Sequence, residues 1–200
     1  MKVFFFFLLF TCGINAQQLE SLKILKIKHD SIETQLKLKY QEEIKGKSEP
    51  EISEIYYQNL LSRSKNNRER LDHYFSAVQT FLENQKLIGP SQEAAQQEIP
   101  DKTANYSQGF PALYKEVHDF IKNQYQDRLD EFFTKSAKIH FIVQNDHSLY
   151  IEKVEGTEKE FNDLALLAFL MTTGKWESAF QRGMNVKSKF VLPVKFVVEE

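Results

Sequence analysis

Cysteine is nearly absent from this chain of 200 residues, since Cys12 is the only one. It lies in an N-terminal stretch that carries one basic residue, Lys2, and then an apolar run to about Ile14. This pattern is typical of a secretory signal peptide, and we expect residues 1–16 to be removed by cleavage after Ala16. The mature chain would then have no cysteine, which excludes disulfides, a thiol nucleophile and cysteine metal sites.

A long hydrophobic run is also lacking. A transmembrane helix needs about 20 apolar residues, and Gly13 and Asn15 interrupt the end of the N-terminal run. Two alternatives to cleavage stay open: an uncleaved membrane anchor, and lipid attachment at Cys12, because the residues before it are similar to a bacterial lipobox. We therefore expect a periplasmic or secreted protein that meets the membrane only by association.

A strong excess of charge is the third absence. The net charge of -2 gives no reason to expect nucleic acid or anionic lipid as a partner. The sequence has no G-x-S-x-G motif, P-loop or glycine-rich dinucleotide turn, and its histidines show no metal spacing such as HExxH. We expect no enzyme, no cofactor and no metal, although a Ser/His/Asp site assembled from distant segments stays open.

Residues 17–88 are expected to form two amphipathic helices. Side chains that repeat every three or four residues line one face of the first helix: Leu22, Leu25, His29, Ile32 and Leu36. Gly46 predicts its end, and Ser48 with Pro50 predicts the start of a second helix that reaches about Gln85. Residues 62–70 have no apolar side chain, so the second helix either breaks there or is fully solvated. The pair predicts an antiparallel hairpin, and a coiled-coil or dimer surface is the alternative.

Residues 89–108 are polar and without period, which predicts a linker. Residues 109–200 then predict a helix from Phe110, a hairpin of strands 136–144 and 149–154, and another helix. Thr157 with Glu160 predicts a capping box at the start of that helix. The fold class is therefore α+β, with a two-layer domain of three antiparallel strands and helices on one face.

The chain ends in a long alternating strand, which Trp176 and Gly183 precede. Every second residue from Val186 to Val198 falls on one face, which is typical of a half-buried strand. Pro193 has no N–H for a ladder, so the sequence predicts an edge strand.

The order and motifs of residues 109–198 resemble the C-terminal domain of the TonB family, periplasmic proteins of Gram-negative bacteria. The matching segments are Gly109 with Phe110 to Tyr125, Phe141 to Asp146, Trp176 to Ala179, Gly183 with Val186, and Leu192 to Phe196. The sequence departs from the family pattern at His147, where glycine is usual, and at Ser178, where proline is usual. It also departs at Gln126, which follows Tyr125 where the family often has Tyr-Pro. The membrane helix and proline-rich spacer of an energy transducer have no counterpart here if the signal is cleaved, so we do not expect this chain to carry force.

The resemblance implies a binding function. The last strand of such a domain takes up an extended segment of a protein partner, an outer-membrane transporter or another envelope protein, by β-augmentation. The partner-binding residues would be Lys187, Lys189, Phe190, Val191 and Lys195, and the structural motif residues Trp176, Gly183 and Pro193. Edge lysines are equally an ordinary protection against aggregation. The alternative function is a structural or assembly protein that oligomerises through its N-terminal helices.

Overall fold

The computed structural model describes residues 3–90, 100–124 and 135–195, with side chains described from Glu20 onward. Its helices are α1 (Val3–Glu43), α2 (Glu49–Ile88), α3 (Phe110–Gln124) and α4 (Lys159–Leu170). Its strands are β1 (Asn105–Tyr106), β2 (Ser136–Val143), β3 (Leu149–Gly156), β4 (Trp176–Glu177), β5 (Ala179–Gln181), β6 (Met184–Val186) and β7 (Ser188–Lys195). The chain forms two compact units, Cys12–Thr80 and one that begins at Phe81.

The first unit is an antiparallel helical hairpin, as predicted. Asn59 of α2 donates to the carbonyl of Leu36 over 2.8 Å, and Arg63 reaches the Glu33 carboxylate over 2.7 Å. Further along α2, the Asn66 side chain lies 2.8 Å from the Nδ1 atom of His29. The residue numbers of the partners on α1 thus decrease as those on α2 increase, which shows that the two helices are antiparallel.

Neither alternative for residues 62–70 holds, because α2 is continuous from Glu49 to Ile88 and Asn66 within this stretch is buried. Polar contacts to α1 replace the missing apolar ones in this stretch. The buried imidazole of His29 bonds to Asn66 through Nδ1, and its Nε2 lies 3.0 Å from Nδ1 of His73. A buried polar group stabilises a fold only when it is hydrogen-bonded, and both ring nitrogens of His29 have a partner here.

Ser48 and Glu51 form the start of α2, close to where the sequence placed it. The Glu51 carboxylate accepts the backbone N–H of Ser48 over 3.0 Å and its hydroxyl over 2.7 Å. These bonds, with a smaller contribution from Lys47, lower the pKa of Glu51 from 4.5 to about 2. The ionised carboxylate also suits the positive end of the helix dipole.

Replacing Ser48 by alanine is therefore expected to raise the pKa of Glu51 toward its ordinary value. A lowered pKa in the folded state means that the contribution of Glu51 to stability is present above its unfolded pKa and is lost as the pH falls from about 4.5 toward 2. NMR titration of the Glu51 carboxyl carbon in the parent and in Ser48→Ala measures the shift. Equal pKa values in the two proteins would contradict this contact.

The second unit is α+β, as predicted. Its main sheet has three antiparallel strands in the order β3-β2-β7. Phe141 of β2 and Phe190 of β7 face each other in the ladder and stack with their ring centroids 5.5 Å apart. Phe169 of α4 lies 4.8 Å from Phe141, and Phe110 of α3 lies 6.1 Å from Phe190. Both helices therefore cover the same face of the sheet.

Two local predictions differ from the structure. Helix α4 begins after Glu158, which makes no side-chain cap bond, so the capping box at Thr157 is wrong. The reason is that Thr157 still follows the strand, and its N–H donates to the carbonyl of Ser136 over 3.2 Å. The approach to the last strand also holds a small hairpin, β5 paired with β6, that the alternation did not indicate. Residues 196–198 of the predicted strand lie outside the described part of the chain.

None of the helices in the described residues has an apolar stretch long enough to cross a membrane.

Candidate functional site

Strand β7 is one edge of the main sheet, and it alternates as predicted. Ser188, Leu192 and Val194 are buried, whereas Lys189, Val191, Pro193 and Lys195 are exposed. Val191 keeps 52% of its surface exposed, which is high for an apolar side chain in the middle of a strand. The strand therefore has one face in the core and one in solvent.

Pro193 indicates which backbone groups of β7 face the open side. The N–H and C=O groups of alternate residues in an antiparallel strand point to the same neighbour. Proline is tolerated where an N–H would point away from the ladder, and Pro193 pairs with Lys138 in this sheet. The peptide groups of Lys189, Val191 and Lys195 then point away from β2, and those of Phe190 point toward it.

The residues predicted to bind a partner thus differ in whether their side chains and peptide groups face solvent or the core. Val191 and Lys189 present both backbone and side chain outward, while Phe190 contributes its ring to the core below. The Lys189 ammonium group bonds to the Glu152 carboxylate over 2.7 Å, so part of its charge is compensated within the sheet. Lys195 is exposed at the end of the described strand, and half-buried Lys187 lies just before its start.

Gln85 occupies the opposite edge of the sheet, along β3. Its side-chain amide donates to the carbonyl of Leu149 over 2.6 Å and accepts the N–H of Ile151 over 3.0 Å. One amide thereby bonds to two outward backbone groups, as a residue of an added strand would. Gln85 is only 4% exposed, so water does not compete freely for these bonds. The β3 edge is therefore covered at this point by the protein's own side chain.

Replacing Gln85 by alanine is expected to expose this edge. The loss of both bonds leaves the buried N–H of Ile151 without its acceptor, which costs about 1–3 kcal/mol. Amide hydrogen exchange should accelerate at Ile151, and Gln79→Ala, which changes an exposed glutamine of the same helix, should leave it unchanged. Unaltered protection of Ile151 in Gln85→Ala would show that the bond is not formed in solution.

Trp176 lies beneath β7 in an aromatic cluster. Its indole is 6% exposed, and its ring centroid lies 5.6 Å from Phe190, 5.1 Å from Phe141 and 6.0 Å from Phe110. The indole Nε1 finds no acceptor among the described residues. Trp176 therefore supports the strand from below, by packing.

The buried hydroxyl of Tyr106 anchors the segment that leads to Trp176. It donates to the Glu116 carboxylate over 2.9 Å and accepts the N–H of Gly174 over 2.6 Å. Burial raises the pKa of Tyr106, so it stays protonated and able to donate. A side chain at Gly174 would bring its Cβ within 2.3 Å of the Tyr106 ring, which explains the glycine.

Gly183 serves the turn of the β5–β6 hairpin. Arg182 and Gly183 both have positive φ angles, 51° and 82°, between Gln181 and Met184, which pair with each other. Two central residues with positive φ are typical of a type I′ turn, whose twist suits a two-residue hairpin. Gly183 is thus required by the backbone, and the hairpin delivers the chain to β7.

His147 and Ser178, two of the three departures from the pattern that the sequence resembles, contact each other. The third, Gln126, lies outside the described residues. The Nδ1 atom of His147 accepts the Ser178 backbone N–H over 2.9 Å and lies 3.0 Å from the Ser178 hydroxyl. A proline at 178 has no N–H for this bond. His147 itself adopts a positive φ of 69°, the conformation for which glycine is usual. The hairpin tip and the segment after Trp176 are therefore joined by the His147 side chain.

The contact places a serine hydroxyl beside an imidazole, as in a serine–histidine dyad. Its geometry favours a structural role, because the Nδ1 atom that would take the serine proton already accepts a backbone N–H. The Ser178 side chain is buried and its hydroxyl also lies 3.4 Å from the carbonyl of Asn145. Within the described part of the chain, no three potential metal-ligating side chains cluster together.

The sequence did not indicate the hydrogen bonds formed by the side chains of Gln85, His147 and His29. Their partners lie far away along the chain, at Leu149, Ser178 and Asn66. The only local signal was at positions 147 and 178, where the residues differ from the pattern that the rest of the segment follows.

Comparison of the chain with protein-family models, with curated protein sequences and with solved structures gives no match.

Proposed function

We propose that this chain is a binding protein of the cell envelope that takes an extended segment of a partner protein on the outer edge of β7, which pairs with no second strand among the described residues. The observation that carries the proposal is the difference between the two edges of the sheet. Gln85 covers the β3 edge, whereas β7 turns the peptide groups of Lys189 and Val191 outward beside an exposed apolar side chain. An added strand satisfies such groups by β-augmentation.

The resemblance to TonB C-terminal domains supports the same edge. The three-stranded antiparallel sheet with two helices on one face agrees with the fold that the resemblance implies. We therefore propose a periplasmic protein of this type, whose partner is an outer-membrane transporter or another envelope protein. A role in TonB-linked transport would be one of binding to the partner's extended segment.

Charge would act mainly at the ends of the strand. Lys195 is exposed beyond the middle of the edge, and the Lys189 ammonium is partly neutralised by Glu152. Rim charges affect the association rate more than the final affinity. We therefore expect backbone pairing to supply most of the affinity and a segment with acidic residues to bind fastest.

The proposal is tested with linear peptides selected from a random phage-displayed library on the immobilised protein. NMR spectra of the protein with the selected peptide should shift most at the amides of Lys189 and Val191. The β3 amide of Ile151 is the internal control, because Gln85 covers it. Shifts that centre on β3, on the helical unit or on any other surface would refute β7 as the recognition edge.

A further inference from the structure

We propose that the outer face of α2 in the helical unit is a contact between two copies of this chain, which pair with their α2 helices antiparallel. The face is formed by Tyr56, Tyr57, Leu60 and Leu61, which are 54%, 54%, 46% and 47% exposed. The spacing of these positions places them side by side over two turns of helix. We call them the α2 patch.

The α2 patch is turned away from α1. The residues of α2 that reach α1 are Asn59, Arg63 and Asn66, which recur every three or four positions and so define the inner face. Tyr57 and Leu61 lie opposite this inner face, and Leu60 lies at the side of the helix. Tyr56 stands at the margin, where its ring meets Tyr40 edge-on at 6.1 Å. Packing within the hairpin therefore leaves most of this apolar surface uncovered.

The charges on either side of the α2 patch indicate that a second copy of the chain binds it. The turns before the α2 patch carry Glu49, Glu51 and Glu54 and no basic residue. The turns after it carry Lys65 and Arg68 outside the inner face, and no acidic residue up to Arg68. An antiparallel copy centred on the patch places each acidic segment against a basic one, twice by two-fold symmetry. A parallel copy would instead place like charges together.

Contacts within the chain leave these charges accessible. Lys65 forms an ion pair with Glu69 at 3.8 Å and keeps 79% of its side chain exposed. Glu49, Glu54 and Arg68 are exposed as well. Exposed ion pairs contribute little to stability, so they exchange partners at small cost.

The size of the α2 patch predicts a weak dimer. A half-exposed aromatic side chain offers about 100 Å² of surface, so the patch offers roughly 400 Å² in each copy. A standard stable interface buries about 800 Å² in each partner. We therefore expect a monomer–dimer equilibrium that depends on concentration. The charged segments would set the antiparallel orientation of the two α2 helices.

Sedimentation velocity of the whole protein over a wide range of concentration tests this inference. The parent should dimerise as concentration rises, and Leu60→Ser should weaken the dimer by roughly tenfold. Ile27→Ser is the matched control, because Ile27 is 69% exposed on α1 and belongs to a different face. A parent that stays monomeric throughout, or a dimer that Ile27→Ser weakens and Leu60→Ser does not, would overturn the proposal and assign the patch to another partner.

Charge exchange supplies the second test. Glu49→Lys with Glu54→Lys gives one variant, and Lys65→Glu with Arg68→Glu gives another. Each alone should be monomeric, because its symmetric contact now places like charges together, and an equal mixture should form a heterodimer. Circular dichroism checks that both are helical; a mixture of two helical variants that remains monomeric contradicts the antiparallel arrangement. The outcome is independent of peptide binding on β7.

Discussion

Replacement of Val191 by proline is expected to abolish binding of the selected peptide while leaving the protein folded. The N–H of residue 191 points away from β2 according to the position of Pro193, so a proline removes a group offered to the partner and none used in the ladder. An added strand also meets the proline ring itself. We expect a loss of at least about 100-fold in affinity, measured by isothermal titration calorimetry, since one blocked position interrupts a short run of backbone bonds.

The same strand offers matched controls in both directions. Val191→Thr keeps the backbone N–H and should bind the peptide nearly as well as the parent. Pro193→Val adds an outward N–H and should strengthen binding, because Pro193 now interrupts the edge. Proline at Phe190 should instead unfold the sheet, since that N–H points toward β2 and pairs with Phe141. Full affinity in a folded Val191→Pro variant would refute β-augmentation on β7.

The sequence predicted β7 well because the evidence for it is local. Alternation of side chains along a strand follows from backbone geometry alone, and Leu192 and Val194 are buried while Val191 and Lys195 are exposed, as expected. Pro193 added more than an edge assignment, since its missing N–H also fixes the direction of its neighbours' peptide groups. The antiparallel hairpin of β2 and β3 was predicted from the same kind of local pattern.

The contacts that define the candidate site depend on long-range packing and could not be predicted this way. Gln85 lies in the last turns of α2, and nothing in that helical pattern indicates that its amide completes the β3 edge. The β5–β6 hairpin was missed for a different reason. Its turn places Arg182 at a positive φ, which is uncommon for a residue other than glycine, asparagine or aspartate.

Trp176, the only tryptophan of the chain, connects the core of the domain with the proposed recognition edge. Its ring packs against Phe190, whose backbone belongs to β7, and against Phe141, whose backbone belongs to β2. A cavity at this point removes support from both strands at once. The consequence should appear in stability and, because an edge strand has a ladder on only one side, in the order of β7 as well.

Trp176→Ala is expected to lower the free energy of unfolding by about 3–5 kcal/mol, because a large buried side chain is lost and the neighbouring strands cannot fill the space. Trp176→Phe should cost much less, since it keeps most of the contact and removes an indole N–H that has no acceptor among the described residues. Urea unfolding followed by circular dichroism measures the free energy of unfolding of both variants. Tryptophan fluorescence is unsuitable because both variants lack Trp176. If alanine and phenylalanine cost the same, the aromatic contact that phenylalanine keeps contributes nothing, and the packing role assigned to Trp176 is wrong.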